Sequence, residues 1–265
     1  AVVAVAGAVL LLVLGLTVDV SLLAAKFAHW GAFKAVGATH GLILLVPLAI
    51  AVLWLVRELR GAGRGTRLDS DLVAEPPADH PQRVALERLA SLAGVPVPPL
   101  RIVASDRPNS YVVVEIDRVQ TICLTTSALE QCTQGELDAM FAHELFHIAH
   151  GDAPLTGRLE AIAELADRKV GFLAGWIVPA VRSLMRQREL SADRAAALLT
   201  GRPGDLDSAV RSCTGADEGP ADLRLVMAVP FVEASPSGPA DRRTHPGVEE
   251  RAASLARVAA QLGQR

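Results

Sequence analysis

Two histidines and a glutamate stand close together in the segment His143-Glu144-Leu145-Phe146-His147. Residues four apart lie on the same face of a helix, so His143 and His147 can direct two imidazole rings at one metal ion. Glu144 follows the first histidine by one position, and from there its carboxylate can reach a water molecule bound to that ion. The spacing therefore predicts metal-assisted hydrolysis with Glu144 as the general base.

The residues around this motif predict the helix that it needs. Thr133 and Glu136 have the spacing of a capping box, and apolar residues recur behind them at helical intervals. Gly151 stands where the C-terminus of a helix favours a residue that tolerates a positive φ. We therefore predict a helix from Gln134 to His150, with the motif in its second half. Two histidines on an amphipathic surface helix are the simpler alternative.

A catalytic zinc ion takes three protein ligands and keeps a fourth position for water, so a third ligand must come from elsewhere. Glu189 is the strongest candidate, because it shares one face of a second predicted helix, about 183–199, with Asp193. Asp193 would then accept the Nδ1 proton of a ligating histidine and fix its tautomer. A solvated charged face, paired with neighbouring arginines, explains the same spacing equally well. His150 and His245 also compete for the third position, although three histidines along one helix make a poor tripod for a tetrahedral ion.

The two predicted helices together resemble a known family. The segment HELFHIAHGD, followed by RELSAD at 188–193, is similar to the HtpX-type and CAAX-prenyl-protease-type membrane-bound zinc metallopeptidases. These enzymes are gluzincins, in which a glutamate is the third zinc ligand. The resemblance extends from about Pro81 to the C-terminus, and it includes the segment 89–98, which is similar to the family's entry into the catalytic domain.

This resemblance implies the ligand set and the fold. His143, His147 and Glu189 would bind one Zn²⁺ ion per chain, and Glu144 would activate the water. The implied fold class is α+β: a zincin-like (gluzincin) catalytic domain, mostly helical with a small sheet, preceded by two transmembrane helices.

Five further positions match the family and would surround the metal. Asn109 stands where the family has an asparagine that opens an edge strand, and His245 belongs to a late His-Pro motif. The resemblance implies that these two residues contact the substrate or the tetrahedral intermediate. It implies that Asp152, just beyond the motif helix, together with Asp193 and Arg251, supports the ligands.

The composition predicts a membrane anchor. Apolar residues make up 51% of the chain, and they are concentrated in two runs at 1–18 and 36–56, each long enough to cross a bilayer as a helix. Four arginines follow between 57 and 67, and by the positive-inside rule they place the rest of the chain in the cytoplasm. We therefore predict a multi-pass protein of a bacterial inner (plasma) membrane with a cytoplasmic catalytic domain. A buried core hairpin is the alternative for both runs.

The remaining sequence divides into a basic juxtamembrane segment and linker, 57–81, and a zinc metallopeptidase domain, 82–265. After a helix at 82–93 and a strand at 100–104, apolar stretches at 110–116 and 119–125 predict a β-hairpin. One of its strands could be the sheet edge that binds an extended peptide by strand addition.

The second half of the domain is predicted to be mostly helical. HtpX-type proteins often carry two more membrane spans between the motif helix and the glutamate helix, whereas here the apolar run 170–181 contains Pro179 and is too short to cross. A middle helix is expected at about 159–169. Residues 200–241 are rich in glycine, proline and aspartate and are expected to form a loop, followed by a terminal helix at 248–262.

Other functions are less compatible with this chain. The net charge is −3 and no basic stripe with interleaved aromatic residues suggests nucleic acid as a partner. Cys123, Cys132 and Cys213 lack the spacing of a zinc ribbon or a disulfide framework, and we expect buried free thiols. The partners expected are a protein or peptide substrate and the lipid bilayer. Two rivals to a peptidase are a gluzincin-type membrane signalling protein and a non-catalytic, zinc-structured membrane scaffold.

Overall fold

The structure is a computed structural model that describes residues 73–115, 119–169, 171–214, 228–232 and 244–263, together with Leu53 and Arg57. The predicted membrane spans at 1–18 and 36–56 fall outside the described residues, apart from Leu53. Of the helices in the described ranges, none is long and apolar enough to cross a bilayer.

The chain divides into two compact units. One comprises 63–159 and 179–265, and it contains every candidate site residue. The other comprises 1–62 and 160–178. Along the described residues the elements are β1 (Val73–Ala74), α1 (Pro81–Ala93), β2 (Leu100–Val103), β3 (Ser110–Val114), β4 (Gln120–Thr125), α2 (Thr126–Gln131), α3 (Gln134–His150), α4 (Asp152–Lys169), α5 (Gly171–Thr200), α6 (Pro203–Cys213), β5 (Ala228–Pro230) and α7 (Val248–Gln261). The predicted architecture, mostly helical with a small sheet, is confirmed.

The sheet has five described strands in the order β1-β2-β4-β3-β5. Strands β2 and β4 are parallel and the other neighbours are antiparallel, so the predicted β3–β4 hairpin is confirmed. Strand β1 comes from the segment predicted to be a linker. The expectation that a hairpin strand forms an open edge is wrong for the described sheet, because β5 pairs with the free side of β3.

Helix α3 begins and ends as its sequence predicts. The Thr133 side chain accepts from the Glu136 backbone N–H, and the Glu136 carboxylate accepts from the Thr133 backbone N–H at 2.7 Å. Gly151 ends the helix at φ 63°. The apolar face of α3 packs against α1, α6 and β3, with Met140, Phe141 and Leu145 buried in the main core. Packing against the main core therefore holds the helix that carries the motif in place.

Two helical predictions need correction. Helix α6 lies inside the segment 200–241 that was expected to be a loop; Pro203 occupies its first turn, and Leu206, Ala209 and Val210 form a buried stripe. Helix α5 begins at Gly171, well before the predicted 183, because the chain stays helical through Pro179. The three cysteines are free and buried, as predicted.

The cap of α3 can be tested by the substitution Thr133→Ala. Loss of the capping hydroxyl should lower the free energy of unfolding by about 1 kcal/mol, measured by urea denaturation followed by circular dichroism. Ser91→Ala, in exposed helical sequence of α1, is the control and should not destabilise the protein. Equal stability of Thr133→Ala and wild type would contradict the capping role.

Glu136 should also make stability depend on pH. Burial raises the pKa of Glu136, but hydrogen bonds from Ser208 and Thr133 outweigh burial and lower the pKa below its usual range. A carboxyl whose folded pKa is depressed stabilises the fold above its unfolded pKa, and that stability is lost as the pH falls through the folded pKa. Denaturation between neutral and acidic pH should therefore show a steeper loss for wild type than for Glu136→Gln. Parallel profiles would refute this.

Candidate metal centre

Helices α3 and α5 bring three possible ligand atoms together. The Nε2 atoms of His143 and His147 are 3.0 Å apart. Glu189 places Oε2 at 3.4 Å from the first of these nitrogens and Oε1 at 3.6 Å from the second. All three side chains are buried, and their candidate ligand atoms lie within 4.8 Å of one another. The group could hold a metal ion.

Two carboxylates determine which nitrogen of each histidine faces this point. His143 Nδ1 is 3.0 Å from Asp193 Oδ1, and His147 Nδ1 is 2.9 Å from Asp152 Oδ2. Since an ionised carboxylate only accepts, each Nδ1 is assigned as the protonated nitrogen. When the rings are neutral, each Nε2 then carries a lone pair, and both Nε2 atoms face the Glu189 carboxylate. Three acceptors that converge in a buried space repel one another unless a cation lies among them.

The polar balance of the site fits a metal ion. Glu189 Oε2 is buried without a hydrogen-bond partner among the described residues. An oxygen that binds a cation does not need such a partner. Burial raises the pKa of Glu189, but the charges of His245, His147 and His143 outweigh burial and hold the pKa well below its usual range. Burial lowers the pKa of His143, but Asp193 and Glu189 outweigh it and raise this pKa to about 9. The site therefore attracts positive charge.

Glu144 lies beside these ligands and is completely buried. Its Oε1 accepts a hydrogen bond from Ser110 Oγ at 2.5 Å, whereas its Oε2 has no hydrogen-bond partner in the described part of the chain. Burial raises the pKa of Glu144, against the opposing charges of His143 and His147. One oxygen is thus held in place and the other is available, which is the arrangement that a general base requires.

Arg251 holds Asp193 from behind through two parallel hydrogen bonds. Its Nε and Nη2 lie at 2.8 and 2.6 Å from the two carboxylate oxygens. Burial raises the pKa of Asp193, but Arg251 and His143 outweigh it and keep the carboxyl ionised with a lowered pKa. Glu189 and Asp193 do not form a solvated charged face, because both are buried. Arg188, which could have paired with them, contacts Asp152 instead.

Asn109 and His245 contact the same short segment of backbone. The Asn109 side-chain amide donates to Val232 O at 2.9 Å, and its oxygen accepts from Val232 N at 3.3 Å. His245 Nε2 lies 2.9 Å from Pro230 O and 3.6 Å from Glu189 Oε2. His245 therefore lies next to the ligands without belonging to the group of three.

His150, the competing ligand, is exposed and its Nδ1 contacts the backbone oxygen of Phe146 at 2.8 Å, so it does not belong to the group of three.

Sequence reasoning missed two residues next to the site: Ser110, the partner of Glu144, and Phe231, whose ring lies 4.9 Å from that of His143. Neither residue belongs to a motif. The one available signal was that Ser110 follows Asn109 at the start of a predicted strand.

The chain is similar in sequence to a known peptidase family. The model of peptidase family M48 matches residues 82–259. The chain is 32% identical to Protease HtpX homolog 1 of Streptomyces coelicolor, over 68% of this chain and 71% of that protein. It is 30% identical to the Protease HtpX homolog of Moorella thermoacetica, over 71% of this chain and 76% of that protein. The crystal structure of S. mikatae Ste24p is 14% identical with a TM-score of 0.41; the match covers 96% of this chain and 63% of that chain.

The role of Asp152 can be tested through metal affinity. Asp152→Asn removes the charge that orients His147, and metal affinity should fall by about 10- to 100-fold. Competition with a chelator, followed by elemental analysis, measures this. Asp79→Asn, at an exposed position in the same unit, should keep the affinity of wild type. Unchanged affinity in Asp152→Asn would rule out this role.

Proposed function

The chain belongs to peptidase family M48, and we propose on that premise that it is a zinc-dependent endopeptidase. Its substrates would be proteins or peptides, and its place the inner membrane of a bacterium with the catalytic domain in the cytoplasm. The observation that carries the proposal is the convergence of His143, His147 and Glu189 next to a buried Glu144, one of whose oxygens has no hydrogen-bond partner among the described residues.

The donor set fits zinc. Two imidazole nitrogens and one carboxylate form a three-residue ligand set that leaves a fourth position for water, which is the pattern of catalytic rather than structural zinc sites. When bound, Zn²⁺ would lower the pKa of a water molecule and polarise the scissile carbonyl. Asp193 and Asp152 would keep both histidines in the tautomer that offers Nε2.

The chain's own residues supply the proton transfers and the substrate contacts. Glu144 Oε2 would take the proton of the attacking water and pass it to the leaving amine, while Ser110 holds Oε1. His245 Nε2 would donate to the carbonyl oxygen as negative charge develops on it. Asn109 has a donor and an acceptor on one side chain and would hold the substrate backbone next to the scissile bond.

We also propose a domain organisation with a membrane anchor. Residues 1–56 would anchor the chain, 57–81 would connect it to the membrane surface, and 82–265 would form the peptidase domain. The apolar runs, the arginine cluster and the naming of the relatives as HtpX homologues support this organisation. Glu144 Oε2 has no hydrogen-bond partner in the ranges that the structure describes, and this favours catalysis over a zinc-structured scaffold, because a structural site has no need of a buried base.

The substitution Glu144→Gln tests the mechanism. It preserves size and the acceptor for Ser110 but removes the base, so cleavage of β-casein should fall by about 10²- to 10⁴-fold. Zinc content, measured by mass spectrometry of the metal, should stay at one ion per chain.

The matched control for this substitution is Glu130→Gln, at an exposed position on α2, which should keep both zinc and activity. Full cleavage by a pure Glu144→Gln sample would sink the catalytic assignment. Loss of zinc from that variant would show instead that Glu144 acts as a ligand.

A further inference from the structure

The short segment Ala228–Val232 lies along β3 beside the metal centre. Its first three residues pair antiparallel with β3, with Ala228, Val229 and Pro230 opposite Val113, Val112 and Tyr111. The pairing continues past the strand, since Phe231 N donates to Ser110 O at 2.9 Å. An extended stretch of the chain thus fills the side of β3 that faces away from β4.

One peptide group in this segment is held at both of its polar atoms by the site. The carbonyl oxygen of Pro230 lies 2.9 Å from His245 Nε2, the nitrogen proposed to donate to the carbonyl under attack. The N–H of Phe231 bonds to the carbonyl of Ser110, whose hydroxyl holds the general base Glu144. The peptide bond between residues 230 and 231 therefore contacts His245 on one side and, on the other, the residue whose hydroxyl holds Glu144.

The next two backbone groups are held as well. The carbonyl oxygen of Phe231 accepts from Arg251 Nη1 at 2.7 Å, and Val232 exchanges two hydrogen bonds with the Asn109 side chain. These are the backbone contacts by which a protease cleft binds an extended peptide through strand addition. Asn109 and His245, the two residues assigned to substrate, both have this segment as their partner.

The side chain of Phe231 anchors the segment. Its ring is fully buried, with its centre 4.9 Å from that of His143 and 4.7 Å from the Arg251 guanidinium.

The segment also closes the sheet edge next to the candidate metal centre. Hydrogen-bonded and non-hydrogen-bonded pairs alternate in an antiparallel ladder. Because Phe231 bonds to Ser110, Pro230 and Tyr111 form a non-hydrogen-bonded pair, and the backbone carbonyl of Pro230 points away from β3. Proline has no N–H, and its carbonyl is already taken by His245, so no further strand can pair there.

We propose that Ala228–Val232 occupies the peptide cleft as an internal mimic of substrate, and that a substrate must displace it to be cleaved. The proposal rests on the proposed function and adds a substrate class: extended peptides with a large apolar residue immediately after the scissile bond, in the place of Phe231. The segment lowers the apparent affinity for substrate by the fraction of molecules in which the cleft is open.

A disulfide that locks β5 onto β3 tests the displacement. Val113 and Ala228 are directly opposite in a non-hydrogen-bonded pair, where Cα atoms stand about 4.5 Å apart, within the range that a disulfide spans. The double variant Val113→Cys/Ala228→Cys is made in a Cys123→Ala background, because Cys123 belongs to the same buried cluster as Val113. Each single variant in that background is a matched control.

Cleavage of β-casein by the oxidised double variant should fall at least about tenfold and return when a phosphine reductant opens the disulfide. The single variants should show no dependence on the reductant, and zinc content should be equal in all samples. Equal rates for the oxidised and reduced forms of the double variant would overturn the proposal, because substrate would then bind with the segment in place.

Hydrogen exchange gives a second measurement that does not need the disulfide. In Glu144→Gln, which should bind β-casein without cleaving it, the amide of Phe231 should lose protection as β-casein saturates the protein. Unchanged protection at saturation would refute displacement. If wild type and every single variant fail to cleave any protein, the peptidase assignment fails instead, and that failure is distinct because exchange still reports whether the segment leaves β3.

Discussion

The Nε2 atoms of His143 and His147 lie 3.0 Å apart inside a buried site, and both are acceptors when the rings are neutral. The other features of the site surround that contact. The four-residue spacing on α3 brings His143 and His147 together, and the carboxylates at their Nδ1 atoms prevent either ring from turning its N–H toward the other. A third acceptor, Glu189, faces the same point. These three groups repel one another when neither a proton nor a metal ion lies among them.

The supporting charges are arranged so that none stands alone in the interior. Arg251 is fully buried, which is costly unless its charge is paired, and it makes two hydrogen bonds to Asp193 and one to the Phe231 carbonyl. Asp193 passes this support to His143. On the other side, Arg188 contacts Asp152, which holds His147. Each histidine thus contacts a carboxylate, and each of these carboxylates contacts an arginine. The ring orientations therefore depend on four elements of the fold, α3, α4, α5 and α7.

The sequence was most informative where the determining contacts are local. The capping box at Thr133 and Glu136 and the glycine at 151 gave the bounds of α3 to the residue, because their partners lie within one turn. The grouping of Glu189 with the two histidines was suggested by spacing and by family resemblance, and the structure shows the distances. Segments held by long-range contacts were missed: α6 is helical because its stripe reaches the core, and β5 is a strand because β3 offers an unpaired side.

The pairing of β5 with β3 also explains why the partners of Asn109 and His245 in the structure could not be predicted from the motif residues alone. An asparagine and a histidine placed to bind a peptide backbone will bind whichever backbone has the higher local concentration, and a segment of the same chain has an effective concentration that few free peptides reach. In this protein Phe231 adds a buried ring to those hydrogen bonds. A peptide that competes must supply an equivalent apolar anchor, so selectivity and restraint arise from the same five residues.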